Sequence, residues 1–299
     1  MSTTSLRYCL VQHEPVTSLD AFEHELAALV AEHPGVQLFV FPEMHVCGGE
    51  ADGALAGLTH FIEPLDGPRD QRFRAAAQRH GIWLIPGSVY EATPGPDIQD
   101  AAAATLHTGE ATAFNTVSAY SPSGERVASY RKVFPWQPYE QSTPGSEFTV
   151  FQLGEFGRVG LSICYDIWFP EHARQLAWLG ADLLVNVVRT GTNDREQELV
   201  LCRATAIANQ LSVLSVNAAS PGSRGQSIAV DAEGRPRVRA VDASPQELVD
   251  TIDLADSRRV RRTGTAGVNR VWEQLDHSPI ALPMYWGGVI QPSPIARDA

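Results

Sequence analysis

The chain has 299 residues, 43% hydrophobic and 19% charged, ordinary values for a globular protein large enough to bury a substantial core. Its formal net charge of −12 argues against a nucleic-acid backbone or an anionic membrane as the main partner. No apolar run approaches the roughly 18–20 residues of a membrane span, and the polar N-terminus Met1-Ser-Thr-Thr-Ser does not read as a secretory signal. Cys9, Cys47, Cys164 and Cys202 are scattered with no CxxC pair, which predicts reduced thiols in the cytoplasm rather than disulfides or a metal site.

Strand-like and helix-like runs alternate. Leu6 to Gln12 reads as a strand, and Leu19 to Glu32 as a helix with Leu19, Phe22, Leu26, Leu29 and Val30 on one stripe and Ser18 as N-cap. Gln37 to Phe41 is a strand, Asp70 to His80 a helix, Ile82 to Tyr90 a strand, and Pro94-Gly-Pro-Asp97 a loop. Asn115 to Tyr120 and Arg126 to Lys132 form a hairpin around Ser121-Pro-Ser-Gly124. Thr149 to Leu153 and Arg158 to Ile163 are strands, Glu171 to Leu179 a helix, Leu183 to Val188 a strand, and Arg195 to Asn209 a long helix. Ser212 to Ala218 is a strand, Gln226 to Val230 pairs with Arg235 to Ala240, and Glu247 to Asp253 closes the series. This interleaving predicts an α/β domain over residues 1–254. From Ala255 the chain reads as a proline-rich, irregular tail over 255–299, with a basic surface or interface patch at Arg258-Arg-Val-Arg-Arg262 and isolated Trp272, Tyr285 and Trp286.

Three strand-like runs end in chemistry. Leu38-Phe-Val-Phe-Pro-Glu43 delivers a carboxylate, Val127-Ala-Ser-Tyr-Arg-Lys132 an ammonium, and Arg158 to Ile163 the thiol of Cys164. Ligands collect at the carboxyl ends of strands in α/β proteins, so the three ends point to one catalytic centre. A free thiol is only a few per cent ionised at neutral pH and needs a base or a cation. Phe41-Pro42 and Met44 give Glu43 a desolvated setting in which proton exchange with a thiol is practical. Lys132 can place fixed positive charge on the oxygen that turns anionic under attack, with the Tyr165 backbone N–H as a second donor.

Phe41-Pro-Glu43, Tyr130-Arg-Lys132 and Ile163-Cys-Tyr-Asp166 resemble, in order, the three signature blocks of the nitrilase superfamily of carbon–nitrogen hydrolases. Lys132-Val-Phe-Pro-Trp-Gln-Pro-Tyr-Glu140 followed by Pro144-Gly145 is most similar to the small-amide amidase and formamidase branch. The resemblance runs from about Leu6 to Asp253. It implies a four-layer α-β-β-α sandwich with an internal pseudo-twofold, no cofactor, and a C-terminal tail that crosses to a partner in a homodimer or larger homo-oligomer. It also implies hydrolysis of a small amide through a thioester on Cys164, with Glu140 receiving the substrate amide N–H₂.

Trp136 and Tyr139 are expected as pocket walls, with Tyr165 and Trp168 nearby. Arg189 either reads a polar or anionic substrate group or pairs with Asp166 or Glu196. His45, close to Glu43, and His172, read as solvent-facing or capping at a helix start, are the candidates for a competing Cys–His dyad. Nitrilase or N-carbamoyl amidohydrolase activity on the same centre, and a silent scaffold, are the alternatives.

Overall fold

The computed structural model describes residues 5–47, 62–92 and 113–277. Alternation of side chains along the strands sorts them into layers. In β1 (Ser5–Gln12), Leu6, Tyr8 and Leu10 face one way into one core, while Cys9 and Val11 face another. β2 (Leu38–Val40) splits in the same way, with Leu38 and Val40 against Phe39. Strands apolar on both faces must be covered on both faces.

The first sheet also contains β3 (Trp83–Ile85), β4 (Ser88–Ala92), β5 (Ala113–Tyr120), β6 (Arg126–Arg131) and β13 (Gln246–Asp253), in the order β13-β1-β2-β3-β5-β4 with β6 paired to β5. The second runs β12 (Pro236–Arg239), β11 (Ile228–Val230), β10 (Ser212–Asn217), β9 (Leu183–Val188), β8 (Gly157–Ile163) and β7 (Val150–Leu153). Leu6, Tyr8 and Leu10 of the first sheet meet Leu161, Ile163, Val185 and Leu214 of the second in the central core. Helices α1 (Leu19–Glu32) and α2 (Pro68–His80) cover the outer face of the first sheet through Phe22, Leu26 and Phe73. Helices α3 (Pro170–Trp178) and α4 (Arg195–Asn209) cover the second through Leu176, Leu199 and Cys202. The architecture is the four-layer α-β-β-α sandwich. Ser18 caps α1 by accepting the Ala21 N–H at 3.1 Å.

Two expectations are corrected. Ile82 to Tyr90 is not one strand but β3 and β4, separated at Pro86-Gly87. Gly87 has φ +83°, and a Cβ there would lie 1.9 Å from the Pro42 carbonyl oxygen, so the break lets the chain pass directly under the segment that carries Glu43. Nor is the tail irregular as far as residue 277: Ala255–Thr263 is helix α5 and Val271–His277 is α6. Arg258 pairs with Asp182 at 2.6 Å, and Trp272 stacks near Trp178 under the guanidinium of Arg174. Part of the basic cluster is thus a lock onto the second sheet rather than a free patch. Tyr285, Trp286, the loop at Pro94 to Asp97 and the tail beyond residue 277 lie outside the described residues.

Candidate active site

The ends of β2, β6, β8 and β9 meet over a cavity of about 390 Å³. Glu43 follows β2 and is held from both sheets. Its backbone N–H donates to the Val188 carbonyl at the end of β9 (3.3 Å), while the next N–H, of Met44, donates to Ser88 Oγ (3.3 Å). Lys132 follows β6. Its N–H donates to the Asn115 carbonyl (2.9 Å), and its carbonyl accepts from Gly145 N–H (2.7 Å). A Cβ on Gly145 would stand 2.3 Å from the Arg131 carbonyl oxygen, so only glycine lets this loop lie on the strand.

Cys164 ends β8 and opens a short 3₁₀ turn to Trp168, in a left-handed conformation at φ +45°. A non-glycine residue there is strained and must be held by its surroundings. Asp166, fully buried, does the holding. Its carboxylate accepts from Ile163 N–H (2.9 Å), Phe134 N–H (3.0 Å) and the Tyr130 hydroxyl (2.8 Å), tying the cysteine turn to the segment just after Lys132. Since the Tyr130 proton goes to Asp166, the hydroxyl accepts from Nε2–H of His172 at 2.8 Å. His172 is therefore buried inside this tether, not solvent-facing, and burial lowers its proton affinity.

Lys132 sits between two carboxylates, 3.1 Å from Glu43 Oε1 and 2.6 Å from Glu140 Oε2. Burial alone would lower the ammonium's pKa, but the negative charges of Glu43 and Glu140 outweigh it and hold Lys132 well above the usual lysine range. An ammonium has three N–H donors, so one remains for a ligand. Asn115 Nδ2 donates to both Glu43 Oε1 (2.8 Å) and Glu140 Oε1 (3.0 Å). Burial opposes the charge on Glu140, but Lys132 prevails and holds its carboxyl below the usual range. Ser142 Oγ also donates to Oε1, and the Trp136 N–H to Oε2, so each Glu140 oxygen already has two donors. Burial and the neighbouring Glu43 push the Cys164 thiol well above its ordinary value, against the pull of Lys132, so it rests protonated.

Glu43, Lys132, Glu140 and Cys164 all line the cavity, joined by Tyr165 and Arg189 and, at its exposed rim, by Trp136 and Tyr139. Trp168 is turned away into the α3–α4 core. Arg189 makes no ion pair with Asp166 or Glu196: Asp166 is committed to the tether, and Glu196 lies 3.7 Å from Arg239. His45 is buried on the far side of the Glu43 segment, where Nε2 meets Glu25 at 2.7 Å. Sequence reasoning missed Asn115, Thr190 and Glu198. Asn115 was discoverable as a buried polar residue opening an apolar strand. Thr190 shares the strand-end position of Arg189, just after β9, whereas Glu198 carries no local signal. Among the described residues no group of His, Cys, Asp and Glu is arranged to hold a metal ion, and no helix is long and apolar enough to cross a membrane.

The carbon-nitrogen hydrolase family model matches residues 9–262, and the chain belongs to that family. It is 30% identical over 188 residues to a formamidase of Bacillus cereus (strain G9842), covering 62% of this chain and 52% of that protein. It is 28% identical over 195 residues to a formamidase of Helicobacter acinonychis (strain Sheeba), covering 65% and 54%. The chain thus spans about half the length of these curated relatives. Among solved structures, it is similar to Saccharomyces cerevisiae Nit3, a member of branch 10 of the nitrilase superfamily. That match has a TM-score of 0.74 at 22% identity over 89% of this chain and 97% of that one. A cysteine-to-alanine mutant of the Nesterenkonia AN1 amidase, from the same superfamily, matches with TM-score 0.66 and 25% identity over 88% and 95%.

Proposed function

We propose that the protein hydrolyses a short primary amide to a carboxylic acid and ammonia through a thioester on Cys164. The observation that carries this is the convergence of Cys164, Glu43 and Lys132 on one cavity, with a single lysine serving two carboxylates. Glu43 Oε2, which accepts no hydrogen bond among the described residues, takes the thiol proton as Sγ attacks the amide carbon. The third Lys132 N–H and the Tyr165 N–H receive the oxyanion. Glu43 returns the proton to the amide nitrogen and ammonia leaves. Water then attacks the thioester, gives its proton to Glu43, and the thiol departs reprotonated. Glu140 acts first by holding Lys132. A substrate N–H₂ reaches it only by displacing Asn115 or Ser142.

The formamidase relatives and the amidase neighbour support amides over nitriles. Arg189 adds an unpaired cation, among the described residues, to the cavity wall and suits substrates with a polar or anionic end. Ammonia release from an amide, a nitrile and an N-carbamoyl compound sharing one carbon skeleton tests the class. We expect the amide to be fastest, whereas a nitrile or carbamoyl compound turned over as fast would favour those activities, and no turnover of any would favour a silent scaffold. Arg189→Met should raise KM about ten-fold or more for an amide carrying a carboxylate, the loss of one charge-assisted contact. It should leave a neutral amide unchanged, and equal effects on both would remove Arg189 from recognition.

We also infer a homodimer or larger homo-oligomer. Trp178 of α3 and Val200 and Ile207 of α4 support this, being 62%, 66% and 54% exposed on one helical layer. Light scattering should report at least a dimer at micromolar concentration, and a stable monomer would contradict it. Cytoplasmic residence is supported by four free cysteines.

A further inference from the structure

Behind Cys164 lies a line of polar groups that amide hydrolysis, as described above, does not use. Thr190 follows β9 and is pinned by its backbone: its N–H donates to Asn217 Oδ1 (2.9 Å) and its carbonyl accepts from Asn217 Nδ2 (3.2 Å). Its hydroxyl donates to Glu198 Oε1 at 2.8 Å. Glu198 Oε2 accepts from Arg195 at 2.8 Å, and Arg195 is fixed by the carbonyls of Gly225 and Gln226. Glu198 and Arg195 are 2% and 1% exposed, so this ion pair is a buried element of the site rather than a surface contact.

The direction of the bonds matters. A threonine hydroxyl has one proton, and here it is committed to Glu198. The same oxygen stands 3.6 Å from Cys164 Sγ and has only a lone pair to offer it. Burial raises the Glu198 carboxyl while Arg195 and Thr190 pull it back toward the charged form; with Glu198 charged, the thiol is the donor. We propose that Arg195, Glu198 and Thr190 form a relay that holds Cys164 as a neutral S–H donor until a substrate enters, making Thr190 and Glu198 positioning residues for the nucleophile.

The charges facing Cys164 come from three elements: Glu43 after β2, Lys132 after β6, and Glu198 on α4. Two are negative and one is positive, and the positive one is shared with Glu140. A hydroxyl this close lowers a thiol's pKa when it donates to the thiolate; with its proton on Glu198, the Thr190 hydroxyl withholds that donation. Reactivity toward oxidants and alkylators follows thiolate character, so an idle enzyme keeps its nucleophile protected. The inference rests on Cys164 being the reactive thiol, not on which carbon–nitrogen bond it attacks.

Glu198→Gln reverses the relay. Arg195 offers only donors, so the new amide must turn its oxygen to Arg195 and its N–H₂ to Thr190. The Thr190 hydroxyl then accepts from the amide and its own proton turns to Sγ, where it stabilises the thiolate. The experiment measures iodoacetamide alkylation of the Cys164 peptide against pH by mass spectrometry, in variants whose circular dichroism matches wild type. Glu198→Gln is expected to alkylate about ten-fold faster at pH 7, equivalent to about one unit in the titration midpoint. Thr190→Val removes an acceptor in the wild-type background and should speed alkylation a few-fold, while Thr190→Ser leaves it unchanged. In the Glu198→Gln background the same valine removes a donor and should slow it. That reversal of sign is what a merely structural or purely Coulombic role does not produce. A valine effect of the same sign in both backgrounds, or none in either, overturns the relay. If Glu198→Gln does not fold, the valine and serine variants alone decide, and unchanged alkylation in Thr190→Val overturns it. The readout needs no turnover, so the relay and the amidase reading stand or fall separately.

Discussion

Cys164→Ser is expected to lower turnover of a short primary amide by at least about 10⁴-fold while leaving the melting temperature nearly unchanged. Serine replaces sulfur with oxygen at almost the same volume. It accepts the left-handed backbone at φ +45° as poorly or as well as cysteine does, and the Asp166 tether that imposes this conformation does not touch the side chain. What changes is chemistry. A hydroxyl holds its proton far more tightly than a thiol, and a carboxylate such as Glu43 is too weak a base to remove it. Steady-state kinetics and a thermal melt on the same preparation test this. A serine variant with more than a few per cent of wild-type activity would mean that sulfur does not form the bond to the acyl group.

Glu43→Gln should cost about 10²–10⁴-fold in kcat/KM, the usual worth of a general acid–base in place. The substitution is nearly isosteric, and its amide oxygen can still accept from Lys132 and Asn115, so the cavity keeps its shape and loses only the proton carrier. His45→Gln is the contrast. His45 is buried against Glu25 and does not line the cavity, so its loss should cost no more than about ten-fold in rate, although folding will suffer. Comparable inactivation of the histidine variant, with its fold intact, would restore the Cys–His alternative. Lys132 is a less clean probe. Removing it strands Glu43 and Glu140 as unpaired buried carboxylates, which costs about 3–5 kcal/mol of stability before any effect on the oxyanion.

Most of the architecture could be read from hydrophobic alternation and strand ends. β1, α1 and α4 fall where period-two and period-3.6 patterns put them, because each buries an apolar face, and β9 falls where a continuous apolar run marks a strand buried on both faces. The apolar pattern alone failed in two places. Residues 82–90 carry the break in their own sequence, the turn dipeptide Pro86-Gly87, and tertiary contact explains why it is needed: Gly87 turns there to clear Pro42. Helix α5 offers only Ser257 and Val260 to the core, too thin a stripe to read, and its lock to Asp182 pairs residues far apart in sequence.

The site divides in the same way. Cys164, Glu43 and Lys132 stand at the ends of readable strands, so their meeting could be expected before any coordinates. The bonds that give them their properties could not be read. Asn115 bridging two glutamates, Thr190 behind the thiol, and Tyr130 joining His172 to Asp166 depend on side-chain directions set by the packing of two sheets. His172 defeats the sequence pattern, since a histidine in the first turn of a short helix usually faces water. Here the rings of Phe134 and Phe148 close over it.

The central claim is that the acyl group passes through Cys164, and the cavity contains a control. Cys47 also lines it, and burial raises its thiol too. Rapid acid quenching of the wild-type protein with a slowly hydrolysed amide, followed by digestion and mass spectrometry, reports which thiol is acylated. The account predicts the acyl mass on the peptide containing Cys164, present during turnover and gone when substrate is spent. An adduct on the Cys47 peptide, or turnover with no acylated peptide under quenching fast enough to trap one, would contradict it.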